Sequence, residues 1–202
     1  MPKIKFSKTE LKHQRDDLER FQRFLPTLQL KKQQLQMEVM RLRDEIKAHR
    51  QKAHDFRKSI KDWISLFSVP EVDTVFQQVE IGQIEIETRN IAGVDIPVLQ
   101  DVHFSAPDYS LFAASAWVDS GVEAFQELIR LEIGERILRR QRELLEAELR
   151  TTTQRVNLFE KVKIPEAQEN IRKIKIFLGD QETAAVARAK IAKTKIVQSG
   201  EA

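Results

Sequence analysis

From Ser7 to Phe67 the apolar residues recur at alternating steps of three and four. Counting from Leu11, the positions are Leu11, Gln14, Leu18, Phe21, Leu25, Leu28, Lys32, Leu35, Val39, Leu42, Ile46, His49, Ala53, Phe56, Ile60, Trp63 and Phe67. All but Gln14, Lys32 and His49 are apolar. A heptad pattern held in one register over this length is a coiled-coil seam, narrower than the apolar face of a helix in a globular core. Such a helix would be about 90 Å long at 1.5 Å per residue. Ser7-Lys-Thr-Glu10 has the spacing of a capping box and places its start near Ser7. Pro26 removes one backbone donor and predicts a local kink.

The texture changes between residues 68 and 109, where Pro70, Pro97 and Pro107 fall together with Gly82 and Gly93. Gln83-Ile-Glu-Ile-Glu-Thr-Arg alternates apolar and polar residues, as a half-buried strand does. Ala92-Gly93 offers a turn, and Val94 to Phe104 resumes extended character. Pro97 cannot donate to a ladder, so its strand is expected at an edge or bulged there. The segment reads as a small β-hairpin, too small to be stable alone.

From Ser110 to about Val197 the helical period returns. Val122, Phe125, Ile129, Ile133 and Ile137 form one stripe, which Leu145, Leu149, Val156 and Phe159 continue. Ala167, Ile171, Ile174, Leu178, Ala185 and Ala192 carry it onward after a drift of register, as a stutter allows. Gly121, Gly134 and Pro165 are expected bends.

Two seamed helices joined by a compact insert bury their stripes on each other. The expected fold is therefore mainly α: a long antiparallel two-helix coiled coil with a small β-hairpin insert between the helices. Residues 1–67 form the N-terminal helix, 68–109 the hairpin insert and 110–202 the C-terminal helix, all one structural unit. Both termini are expected at one end of the coil and the hairpin at the other, with the second helix outrunning the first.

Composition supports this reading. Of 202 residues 32% are charged and only 7% aromatic, and there is no cysteine, which excludes a disulfide framework or thiolate metal cluster. The first residues, Met1-Pro-Lys-Ile-Lys-Phe, lack a signal peptide's apolar core, and no apolar run approaches the length of a membrane span. The expected location is cytoplasmic, with any membrane association made through partners. The net charge of +3 hides an asymmetry: +8 over residues 1–70, −7 over 71–109 and +2 over 110–202. A basic face can bind nucleic acid, but here the aromatic residues belong to the seam and do not alternate with the basic ones, so no nucleic-acid partner is expected.

Chemistry-bearing motifs are sparse. No phosphate-cradling glycine loop is present. His49 and His54 are five apart, on different faces of a helix, and so poor metal partners; His49 reads as a hydrogen-bonded seam histidine. Carboxylates are offset by nearby bases, as in Asp44/Lys47 and Glu169/Lys173, pairs worth roughly 0.2–0.5 kcal/mol each. No catalytic residue, cofactor or metal site is expected. Lys32 either fixes register or marks where the seam opens. Trp63 and Trp117 read as core residues near the hairpin or, more sharply, as partner anchors. Glu85 and Glu87 on the acidic hairpin are candidate partner contacts, inferred from charge.

The run from Thr152 to Ile174 resembles the C-terminal signature of the D subunit of V-type and archaeal-type ATP synthases, with Arg155, Val156, Asn157, Glu160, Ile164 and Pro165 matching one for one. Asn90-Ile-Ala-Gly-Val-Asp-Ile-Pro97, with Gly93 and Pro97, is similar to that family's hairpin turn. Lys8-Thr9…Leu11 and Leu30-Lys-Lys…Leu35 match its opening helix more loosely. The resemblance implies a non-catalytic central-stalk rotor subunit, which transmits torque between ATP turnover in a hexamer of catalytic A and B subunits and ion translocation in the membrane. It implies the A, B and F subunits as partners, together with the adaptor above the membrane rotor, and no direct membrane insertion. Two other classes compete. A prefoldin-like chaperone would expose apolar helix tips, where this chain has Lys3, Lys5, Lys8, Lys190, Lys193 and Lys195; a basic coiled-coil scaffold would bind nucleic acid with a steep salt dependence.

Overall fold

The computed structural model describes residues 4–64, 79–105 and 118–200. Helix α1 spans Lys8–Ile64, strands β1 and β2 span Ile81–Ile91 and Val94–Phe104, and helix α2 spans Val118–Leu158. A π-helical turn, Phe159–Lys163, leads into helix α3, Ile164–Gly200. The helical period, the hairpin and their order are those the sequence predicts. The chain divides into two compact units, Lys32–Thr151 and Met1–Lys31 with Thr152–Ala202.

Ser7 caps α1 as its spacing predicts: its Oγ accepts the Glu10 backbone N–H at 3.2 Å. The helix continues through Pro26. Every seam position from Leu11 to Ile60 is buried or half-buried, so the pattern of threes and fours identified the inward face correctly.

In the unit Lys32–Thr151, α1 and α2 run antiparallel. Arg43, Arg50 and Arg57, one heptad apart on α1, pair with Glu146, Glu135 and Glu132 at 2.9, 2.5 and 3.4 Å. The core cluster joins Leu35, Val39 and Leu42 of α1 to Leu145 of α2 and to Ile96 of β2. Ile91, Ala92 and Val94, at the hairpin's turn, pack against the same cluster. This corrects the expected placement of the hairpin at the far end of the coil. Its tip lies against Leu35–Leu42, about 40 Å of helix before Ile64. A two-stranded hairpin cannot cover its own apolar face, and the helix flanks supply that cover.

The sheet is a single antiparallel pair. Asn90 shapes its turn, with Oδ1 accepting the Gly93 N–H at 3.1 Å and Nδ2 donating to Asp95 at 2.6 Å. Ala92 and Gly93 both have positive φ, 51° and 79°, as a two-residue hairpin loop of matching twist requires. β2 faces the helices through Ile96 and Val102, each 2% exposed. β1 is not the half-buried strand its alternation predicts: residues 81–90 are all exposed, Ile84 and Ile86 included. Apart from Ile91 beside the turn, β1 is the outer strand, exposed on both of its faces.

In the other unit the start of α1 runs antiparallel to α3. Phe6 packs on Phe177 and Phe21 on Phe159, with ring centroids 5.0 and 5.1 Å apart. Gln14 accepts a hydrogen bond from Asn170 at 3.2 Å. Thr152, Val156, Ala167 and Ile174 are buried. The stripe ends near Leu178, for residues 181–196, Ala185 and Ala192 among them, are exposed. The register drift has a specific cause. Val156 to Ile164 and Phe159 to Ala167 are each eight residues, where a heptad has seven. The π-turn takes in the extra residue, with Ile164 N–H donating to Phe159 O across five residues. The drift of register that the sequence shows is thus taken up at the π-turn.

Candidate functional site

The residues marked by the signature surround this π-turn. Val156 is buried one turn before it, Phe159 opens it, and Ile164 and Pro165 close it. Arg155, Asn157, Glu160 and Pro165 line the same stretch, with Arg155 and Asn157 exposed. Pro165 explains why the turn falls here. A helical residue there would donate its N–H back to the preceding turn, and a proline ring crowds the carbonyl it cannot serve. A widened turn gives the ring room. Leu158 and Val162, 45% and 48% exposed, form an apolar pair on the outside of the turn. Between the start of α1 and α3 a groove of about 390 Å³ is lined by Glu10, Gln14, Asp17, Lys163, Glu166 and Asn170, among others.

The second group of marked residues lies on the hairpin. Gly93 supplies the left-handed φ of the turn, and Pro97 pairs with Thr88. The buried amide of Gln141 on α2 donates to the Pro97 carbonyl at 2.5 Å. Arg130 of α2 lies over the Phe104 ring, 5.1 Å from its centroid. Glu85 and Glu87 are both exposed on the outer strand. Glu85 pairs with His103 across the sheet at 3.2 Å, and Glu87 accepts the Gln100 amide. These partners lie within the hairpin, and both carboxylates stay open to solvent. Trp117 and the side chain of Trp63 lie outside the described residues.

Sequence reasoning missed the pairing of His49 with Gly134. A Cβ at 134 would lie 2.8 Å from His49 Nε2, so the glycine is a notch for the imidazole. The expected hydrogen bond of His49 is not made at Nδ1, which is buried and has no partner among the described residues. Gln141, the Gln14–Asn170 pair and the Arg–Glu pairs across the seam were also missed. For Gln14 the signal is a polar residue inside an apolar stripe, which names no partner; the arginines lie on the exposed flank of the seam and carry no such signal. The local pairs Asp44/Lys47 and Glu169/Lys173 form at 3.9 and 3.5 Å.

Among the described residues, Glu135 and Glu169 are held below the usual carboxylate range. Glu135 is held down chiefly by its hydrogen bond from Arg50, against some loss of solvation, with Arg139 assisting. Glu169 is lowered by Arg172 first and by Lys173 after it. Both belong to ion pairs along the helices, so their shifts reflect pairing and not a catalytic pocket. Among the described residues no group of three or more His, Cys, Asp or Glu is placed to hold a metal ion, and no helix is long and apolar enough to cross a membrane.

These features define a coiled-coil class of protein: helices paired antiparallel within each unit, with a hairpin docked on one pair and distinctive side chains that pack and pair along helix faces. Within that class the family is specific. The family model for the ATP synthase D subunit matches residues 10–194, and the chain belongs to that family. It is 43% identical over 198 residues to the V-type ATP synthase D subunit of Borreliella burgdorferi, covering 98% of this chain and 97% of the relative. It is 37% identical to the protein of the same name from Chlamydia felis, covering 98% and 96%, and 37% identical to that from Chlamydia trachomatis serovar L2, covering 98% of each.

Proposed function

We propose that the chain is the non-catalytic central-stalk rotor subunit of a V/A-type rotary ATPase or ATP synthase. It transmits torque between ATP turnover in a hexamer of A and B subunits and ion translocation by a membrane rotor. The observation that carries this reading is the match to V-type ATP synthase D subunits over nearly the whole length of both chains. Two physical features support it. Along residues 181–196 of α3 even Val186 and Ile191 are 69% and 57% exposed, a surface suited to enclosure by other subunits. Exposed ion pairs along the helices contribute little each and break readily, which suits a surface that slides past successive subunits.

The hairpin supplies the second contact. Its outer strand presents Ile84 and Ile86 beside Glu85 and Glu87, an acidic and partly apolar edge. That edge docks the F subunit and the adaptor above the membrane rotor, with Trp63 and Trp117 as further anchors. The chain reaches the membrane through these partners and remains cytoplasmic.

Co-expression with candidate A, B and F subunits from the same genome, followed by size exclusion and mass spectrometry, tests the assignment. One copy per A/B hexamer, together with F, is the expected result. A self-assembled oligomer that ignores A, B and F would overturn it and favour a chaperone or scaffold.

A further inference from the structure

The π-turn combines three weaknesses in one place. Its bond from Ile164 to Phe159 spans five residues, a geometry seen mostly as single turns within α-helices. The next residue, Pro165, has no N–H, so the Glu160 carbonyl loses the donor that would continue the pattern. No residue of Phe159–Lys163 is buried, whereas Val156 before it and Ala167 after it are each 3% exposed. Segments with few buried contacts and solvent-exposed backbone hydrogen bonds open at low free energy. The tilted Phe21–Phe159 pair ties the start of the turn to the opposing helix.

The turn cannot relieve itself by slipping one residue. That shift would exchange the buried Ala167 and Ile174 for Glu166 and Lys173, placing two charged residues in the seam. The flanking anchors hold register while the turn between them stays soft.

We propose that Phe159–Lys163 is a flexible joint, pinned in place by Pro165, that lets the helix twist between the Val156 and Ala167 anchors without losing its register. This deepens the rotor assignment and rests on it for its use: a compliant segment in a torque-carrying helix stores and releases twist between steps.

Hydrogen exchange on the full chain tests the joint without any partner. Backbone amides from Phe159 to Glu166 are expected to exchange at least tenfold faster than those flanking Val156 and Ala167. Deleting Lys161 together with Pro165→Ala restores an unbroken heptad and the missing donor, and is expected to slow those amides by about tenfold or more. Pro165→Ala alone, which keeps the extra residue, is expected to have a smaller effect. Equal protection along the whole stretch, or no slowing in the double variant, overturns the proposal. In a reconstituted complex the double variant is expected to assemble normally and to lower the rate of ion-coupled ATP turnover; unchanged coupled turnover overturns the joint's role in the rotor. Failure of the unaltered chain to assemble would instead overturn the rotor assignment, with the exchange result standing on its own.

Discussion

The imidazole of His49 fills the notch left by Gly134, with Nε2 only 2.8 Å from where a Cβ on that residue would be. A glycine within a helix is disfavoured by about 1 kcal/mol relative to alanine, so its presence in the middle of α2 calls for a reason of this kind. Gly134→Ala is expected to lower stability by about 1 kcal/mol net, because steric displacement of His49 outweighs the gain in helix propensity. In a His49→Ala background the same change is expected to raise stability by about 1 kcal/mol. Urea unfolding of the four proteins of this cycle gives the coupling, and additive effects would show that the two residues do not constrain one another.

Glu135 ties α2 to α1 through Arg50. Its folded-state pKa lies below the ordinary carboxylate value, so the stabilisation is fully present above about pH 4.3, the unfolded value, and fades as pH falls through the folded one. Arg50 is half-exposed, so the contribution is roughly 1 kcal/mol. Thermal melts of Glu135→Gln and the parent are expected to differ at pH 7 and to converge toward pH 3. A constant difference across that range would place the loss in packing.

Gln141 is the polar link between hairpin and helix. Gln141→Leu removes the donor to the Pro97 carbonyl and leaves that acceptor unpaired against an apolar surface, a cost of about 1–3 kcal/mol. Exchange of β2 amides around Ile96 and Val102 is expected to accelerate while α1 and α2 stay protected. If both helices lose protection equally, the hairpin does not undock as a separate element.

The turn of the hairpin depends on Gly93, whose φ of 79° suits no β-branched residue. Gly93→Val is expected to destabilise the unit by about 1–3 kcal/mol, while Ala92→Gly, at the other positive-φ position, is tolerated within about 1 kcal/mol. Chemical denaturation distinguishes the two, and equal tolerance of both would mean that the turn can adopt another type.

The sequence by itself determined the inward face of α1, its cap at Ser7, the hairpin with its Ala92-Gly93 turn, and a drift of register after Phe159. Each rests on local rules: heptad spacing, a capping hydroxyl, a left-handed turn, and the spacing of an apolar stripe. The family resemblance was legible in the same stretch, since the residues around Pro165 are contiguous in the chain. Tertiary structure alone decided where the hairpin docks, which of its strands faces out, and what His49, Gln141 and Gln14 touch. Those contacts join residues far apart in sequence, and an apolar strand face or a polar seam residue states that it needs a partner without stating which. The drift of register was legible as a stutter, but the π-turn that takes it up was not; it falls just before Pro165, because a residue that cannot donate a hydrogen bond is best accommodated where the helix has already widened.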